Sequence, residues 1–455
     1  MLDPLICRSR IVSGRHRKVE KEIPIALIAS AYAPWSTGPA TFSQSHSVFL
    51  SDPYGVSSGR SRQPTGRTGS SRHAVLLEGT AETRETDGGL RVGVSPRAVT
   101  PLATTGCEVK GMGRFGFDVV DSDGHVMEMR TDLERFGWEG TATEGIENLL
   151  AQGLSVGRGL SPRSPKGERD PSWRLQDMDA EGIDVSVNYP TPLLGVSDFP
   201  DPASSASACR AYNDWFAATY REEGGGRLRA VALVPMRDAA AAAAEARRAI
   251  TELGACGVMV QPYVGDDVHL SDREFDPLWD VLEELGKPVA VHGSRHTCPP
   301  KISAETFAGT SRFYAMCHPF QQMVAMGDFA LGGVLARHPT LKVAFLESGI
   351  GWMPYYIERL DEAYEDLHEE SEILECEPSE YLLSGNCFFS CEPDEGHLAY
   401  MVDALGSDQI IYASDYPHFD CKFPDSVAIL SRQSGLSTDT LSKIAARNAR
   451  RLYSL

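Results

Sequence analysis

From Arg114 onward, short apolar runs alternate with longer amphipathic stretches. The runs are FDVVDSD (117–123), IDVSVNY (183–189), LRAVALV (228–234), GVMVQ (257–261), PVAVH (288–292), KVAFLE (342–347), NCFFS (386–390) and QIIYAS (409–414). Each is rich in β-branched or aromatic residues, as a strand covered on both faces requires. The stretches between them carry a helical period. Residues 238–253 hold Ala, Glu and Arg throughout, open on Asp238 as N-cap and stop at Gly254. Residues 275–285, 320–337, 353–370 and 436–453 predict further helices. Strands that alternate with helices in this way predict an α/β fold, a (β/α)8 TIM-like barrel over 112–455. Its main insertion falls at 130–172, before the second strand. A doubly wound open sheet is the alternative. It would want a Gly-rich phosphate turn after the first strand, where DSDGH stands instead.

Residues 1–111 break the pattern. They show no sustained periodicity, and from Tyr54 to Arg72 thirteen of nineteen residues are Ser, Gly or Arg. Such a segment buries too little apolar surface to offset its chain entropy. The expectation is a disordered N-terminal extension, or a stretch upstream of a true start at Met112. Charge divides the chain at the same place. Residues 1–111 hold 14 Lys+Arg against 9 Asp+Glu, and the remainder 29 against 54, within a total of -20 over 455 residues. The acidic balance argues against nucleic acid as a partner. No run of 18 apolar residues occurs, so no membrane span is expected. The short apolar run after Lys21 is flanked by Glu20 and Glu22, unlike a secretion signal. A cytoplasmic enzyme is expected, with its ten scattered cysteines reduced.

In such a barrel the chemistry sits where the strands end. The first run ends in Asp121, Asp123 and His125, the fifth in His292, the sixth in Glu347, and the eighth in Asp415 followed by Tyr416, Pro417 and His418. Any one of these has an ordinary explanation, such as a helix cap or a satisfied core histidine. Together they gather carboxylates and imidazoles at one mouth, a donor set suited to zinc, iron or manganese. Asp123 and His125 are two apart on one strand, so both face the same way. His318, in CHPFQQM, and Glu128, three past His125, are candidates for substrate contact or for orienting the ligands.

These residues resemble the amidohydrolase superfamily, in the amidohydrolase-related branch that includes aminocarboxymuconate-semialdehyde decarboxylase. The resemblance covers about 115–455 and rests on VVDSDGHVME (119–128), DMDAEGIDVSVNYPT (177–191), NDWFAATY (213–220), VAVHG (289–293), HPTLKVAFLESGIGWMPYYIERLDE (338–362), ASDYPH (413–418) and NARRLYSL (448–455). It implies a distorted barrel with a metal at its mouth, held by HxH on strand one, His on strands five and six, and Asp on strand eight. His125, His292 and Asp415 match that set. Asp123 stands where the first His is usual, and Glu347 where the decarboxylases carry a catalytic His. Two carboxylates in place of imidazoles make the site harder, favouring iron or manganese with zinc still open. Glu347 is also able to bridge a second ion.

The leading expectation is therefore a metal-dependent hydrolase acting on a small organic acyl, ester, thioester or amide compound. Asp123, His125, His292 and Asp415 hold the divalent metal, Glu347 is an extra or bridging ligand, and Asp415 or His418 moves the proton of a bound water. The alternative is a nonoxidative decarboxylase of an aromatic or enolic acid. Tyr189, Trp352 and Tyr416 near the mouth suggest an organic acid or acyl substrate. A homodimer is a further expectation.

Overall fold

The computed structural model describes residues 114–152, 167–264, 268–294, 311–367 and 373–455. The expectation of disorder for residues 1–111 lies outside the described residues. Eight parallel strands form one sheet in sequence order: β1 (Val120–His125), β2 (Val185–Tyr189), β3 (Leu228–Leu233), β4 (Gly257–Val260), β5 (Val289–Val291), β6 (Val343–Phe345), β7 (Cys387–Cys391) and β8 (Ile410–Tyr412). The first and last strands then meet. His125 N–H donates to Tyr416 O at 2.6 Å and Asp415 N–H to Asp123 O at 2.9 Å. That closure makes the sheet a barrel and removes the open-sheet alternative.

The helices on its outside are α1 (Arg130–Arg135), α2 (Glu144–Gln152), α3 (Pro171–Glu181), α4 (Pro202–Tyr220), α5 (Ala239–Thr251), α6 (Asp276–Leu285), α7 (Ser311–Ala330), α8 (Val334–Arg337), α9 (Met353–Leu367), α10 (Pro378–Leu382), α11 (Leu398–Leu405), α12 (Ser426–Ser431), α13 (Thr438–Ser442) and α14 (Asn448–Tyr453). Their starts are chemically marked. Asp170, Asp201 and Asp238 each accept backbone N–H groups at an N-terminus, the first two followed by Pro at N1. None of the described helices is long and apolar enough to cross a membrane.

The strands are buried along nearly their whole length, which explains their continuous apolar runs. On the side of the sheet covered by α7, Phe345 stacks on Phe389 with centroids 5.8 Å apart and meets Phe329 edge-on at 5.9 Å. The insertion before β2 is not a bare loop. It supplies α1 and α2, and Trp138 beside them is fully buried, donating its Nε1–H to Ser204 O at 3.2 Å under the Arg130 guanidinium.

Two helices differ from expectation. The helix predicted at 320–337 runs as α7 from Ser311, with Pro319 inside it, and then as the separate α8. Proline removes one backbone hydrogen bond from a helix interior, and α7 continues through Pro319 all the same. The closing helix is divided into α13, a π turn over Lys443–Arg447, and α14.

Candidate metal centre and active site

β1 presents Asp123 and His125 to the barrel interior, and both are buried. Gly124 between them faces outward, where a Cβ would lie 2.3 Å from Arg174 Nη2 and 2.6 Å from Ser186 Oγ. Arg174 comes from α3 and is itself buried. It donates to the His125 carbonyl at 3.0 Å, to Asn188 Oδ1 at 3.0 Å and to Ser186 Oγ at 3.1 Å. The glycine in D-G-H is thus required by a guanidinium packed against the back of the strand. Asp121, one pleat earlier, does not join the site. Its carboxylate accepts the Ser414 N–H (2.9 Å) and hydroxyl (2.8 Å), tying β1 to the end of β8.

His292 follows β5 and Asp415 follows β8. His292 Nε2 lies 3.3 Å from Asp123 Oδ1, and His125 Nε2 lies 3.5 Å from the same oxygen and 3.3 Å from Asp415 Oδ1. Each imidazole is oriented through its other nitrogen. Nδ1 of His125 is 2.8 Å from the Pro190 carbonyl, and Nδ1 of His292 is 2.7 Å from the Gly293 carbonyl. A carbonyl only accepts, so both Nδ1 atoms carry hydrogen and both Nε2 atoms turn toward Asp123.

The residues fit a divalent metal. Both Asp123 oxygens and the two Nε2 atoms are buried and lack a hydrogen-bond partner. Buried polar atoms are rarely left so, and a cation is a partner that both carboxylates and imidazole lone pairs accept. Donor atoms of Asp123, His125 and His292 lie within 4.8 Å of one another, as do those of His125, Asp415 and His418. Burial alone would lower the His125 pKa, but Asp123 and Asp415 outweigh it and hold the imidazole well above its ordinary value. Burial alone would likewise raise Asp415, yet His418 and His125 hold it well below the usual carboxylate range. Such strong preferences for charge mark a place built around a cation.

A cavity of about 190 Å³ opens above this cluster, lined by Asp123, His318, Glu347, Ser390, Asp415 and Asp420 among others. Glu347 and Asp415 both have φ of 53°. That left-handed backbone is uncommon for residues with a Cβ and clusters at functional sites. Glu347 stands outside both ligand groups. Its Oε2 is 3.5 Å from His292 Nδ1 and 3.3 Å from His318 Nδ1. Burial, then Asp415 and Asp123, push its carboxyl well above the ordinary value.

The other predicted residues divide. His418 stacks on His125 with centroids 4.0 Å apart and spends both nitrogens nearby, Nδ1 on Asp415 Oδ1 (2.6 Å) and Nε2 by Thr191 Oγ1 (3.3 Å). Tyr189 lies beside the His125 and His292 rings. Its ring is 5.3 Å from that of His292, and its hydroxyl meets Tyr453 Oη at 2.7 Å. Glu128 is buried and reaches no imidazole. It accepts N–H groups of Leu193 (2.7 Å) and Thr191 (3.2 Å) and so fixes the loop whose Pro190 carbonyl holds His125. Burial pushes its pKa up to about 8 against those bonds. Trp352, in the turn before α9, does not line the cavity; it donates to Ser348 O at 3.2 Å and packs on Tyr356. Sequence reasoning missed Arg174, Ser390 and Tyr314. Ser390 Oγ accepts the Glu347 N–H at 3.1 Å, and the Tyr314 hydroxyl bonds the Asp420 carboxylate. A serine ending β7 was visible in the sequence but carries no chemistry by type alone. Tyr314 and Arg174 lie on helices, where polar residues ordinarily read as solvent-facing.

The amidohydrolase family model matches residues 120–455. The chain is 24% identical over 250 residues to a 2-amino-3-carboxymuconate-6-semialdehyde decarboxylase of Dictyostelium discoideum, an alignment covering 54% of this chain and 67% of that protein. It is 24% identical over 301 residues to a gamma-resorcylate decarboxylase of Polaromonas, covering 62% of this chain and 86% of that protein. A 5-carboxyvanillate decarboxylase of Novosphingobium aromaticivorans, solved with manganese and 3-methoxy-4-hydroxy-5-nitrobenzoic acid, superposes with a TM-score of 0.61 at 22% identity, over 75% of this chain and 99% of that one.

Proposed function

The chain belongs to the amidohydrolase family, and from that premise we propose that it is a metal-dependent decarboxylase that removes CO2 from a hydroxylated aromatic acid without redox change. The observation that carries this reading is the alignment across 86% of a gamma-resorcylate decarboxylase, supported by a donor cluster that fits a metal beneath a cavity. The leading expectation of a hydrolase gives way to its alternative, since the curated relatives described above are decarboxylases. Of the two bases expected for hydrolysis, Asp415 lines the cavity, whereas His418 is occupied by Asp415 and Thr191 and does not line it.

Asp123, His125, His292 and Asp415 would hold the ion. Bound there, a divalent metal supplies an anchor for the substrate carboxylate and an adjacent oxygen, and withdraws electron density from them. The remaining work falls to the chain. The Pro190 and Gly293 carbonyls keep both imidazoles in the tautomer that offers Nε2. His418 steadies Asp415. The buried walls below the cavity keep water from the barrel interior. An acid facing the cavity must finally deliver one proton to the ring carbon.

The test is CO2 release from gamma-resorcylate and 5-carboxyvanillate by the manganese-loaded protein, alongside a panel of esters, thioesters and amides. Stoichiometric CO2 with the protonated arene is expected. Formation of a new acid with an alcohol, thiol or amine, and no CO2 from either aromatic acid, would refute the proposal.

A further inference from the structure

The resemblance calls for an imidazole at the end of β6, and this chain has Glu347 there. An imidazole nevertheless reaches the same place. His318, in the middle of α7, puts Nδ1 3.3 Å from Glu347 Oε2 and is the one imidazole among the described residues that lines the cavity. Its position is fixed by the helix face it shares. Gln321 and Gln322 lie three and four residues on, so all three side chains project together. The Gln321 amide accepts the Ser294 N–H at 3.0 Å and donates to the Ser294 carbonyl at 2.9 Å. The Gln322 amide donates at 2.9 Å to both the Val291 and the Leu346 carbonyls. These bonds rivet α7 to the ends of β5 and β6. Gly293 permits the close approach, because a Cβ there would lie 2.9 Å from His318 Nδ1 and 2.8 Å from Gln321 Oε1.

We propose that His318, oriented by Glu347, is the catalytic acid that protonates the ring carbon. The assignment rests on the decarboxylase reading above. Among the other groups near the mouth, His418 does not face the cavity, Asp415 belongs to the proposed ligand set, the Asp420 carboxylate takes the Tyr314 hydroxyl, and the Lys422 ammonium is bound by Asp420 O (3.1 Å) and Asp394 Oδ2 (3.3 Å). In the step, the imidazolium N–H bond breaks and its proton forms a C–H bond at the carbon bearing the carboxylate. The bond from that carbon to the carboxylate then breaks. Its electron pair restores the aromatic ring and CO2 leaves neutral. His318, left neutral, regains a proton from solvent. One carboxylate anion and one proton become one arene and one CO2, with no oxidant or reductant.

The test uses the full-length, manganese-loaded protein with gamma-resorcylate and 5-carboxyvanillate, comparing wild type with His318→Gln, His318→Ala and Glu347→Gln. His318→Gln should keep its metal and lose CO2 release by about 10²–10⁴-fold, the usual worth of a positioned acid. Glu347→Gln should lose less, and added imidazole should restore part of the rate to His318→Ala. A second readout needs no turnover. In zinc-loaded protein with ¹⁵N-histidine, the His318 ring signals, identified by their absence from His318→Gln, should shift when 3-methoxy-4-hydroxy-5-nitrobenzoic acid is added. A His318→Gln rate within about threefold of wild type, loss of the metal from that variant, or unmoved His318 signals would each overturn the assignment. If wild type itself releases no CO2, the decarboxylase reading falls and the acid role falls with it. If wild type releases CO2 and His318→Gln does so at a rate within about threefold, only the role of His318 falls.

Discussion

Asp123 is the residue on which the site converges. Two imidazoles point at its Oδ1, and neither of its oxygens has a hydrogen-bond donor. Replacing Asp123 or His292 by Ala should therefore remove metal and activity together, read by elemental analysis beside circular dichroism. Asp415→Asn should keep the barrel and lose activity, because the backbone bond from Asp415 N–H to Asp123 O survives the change. Unchanged metal content in both Ala variants would show the ion to be held elsewhere. These residues were legible in the sequence because donor types at four strand ends are unusual and strand ends in a barrel converge. Arg174 was not, since a helical arginine is ordinarily solvated and only the packing against Gly124 shows it buried. Trp352 was misread for the opposite reason. An aromatic residue near a site in sequence need not face it, and this one does not line the cavity.

At the scale of elements, β1 carries a constraint on its outer face. Gly124→Ala would drive a methyl group into Arg174, which holds the His125 carbonyl. We expect a loss of about 1–3 kcal/mol in denaturant unfolding, together with weaker manganese binding. Equal stability in the two proteins would show that Arg174 yields freely. The contact of α3 with α12 gives a pH-dependent counterpart. Glu181 accepts the Ser426 hydroxyl at 2.7 Å and the Val427 N–H at 3.3 Å, and burial raises its pKa to about 7. A raised folded-state pKa means that the native state holds this proton more tightly than the unfolded chain. Its contribution is full below the unfolded value and is lost as pH rises through about 7. Glu181→Gln keeps both acceptor bonds without the titration. Its stability relative to wild type should improve between pH 5 and pH 8, by roughly 1–3 kcal/mol. An unchanged difference across that range would show that Glu181 titrates normally. Most strands were legible because a segment covered on both faces is chiefly apolar, β1 with its buried Asp121, Asp123 and His125 being the departure that marks the site. The extent of α7 was not, because proline is disfavoured in a helix interior and α7 continues through Pro319 all the same.

For the whole molecule, the (β/α)8 reading followed from alternation alone, and closure of β8 on β1 adds what periodicity cannot express. The sequence also predicts that a chain beginning at Met112 folds and binds manganese, checked by solubility and metal content. An insoluble product would mean that residues 1–111 contribute to the fold. A last consequence follows from the two left-handed residues at the mouth. Glu347 and Asp415 hold φ of 53°, where a side chain costs about 1–2 kcal/mol and glycine costs nothing. Glu347 does so among other buried carboxylates, which oppose its charge as well. The barrel would be more robust without it. Glu347→Gly should raise the Tm of the metal-free protein by roughly 2–4 °C while depressing CO2 release, and a lower Tm would contradict this view. Endurance alone would favour glycine at this turn, so under the decarboxylase proposal Glu347 is where stability and chemistry pull apart.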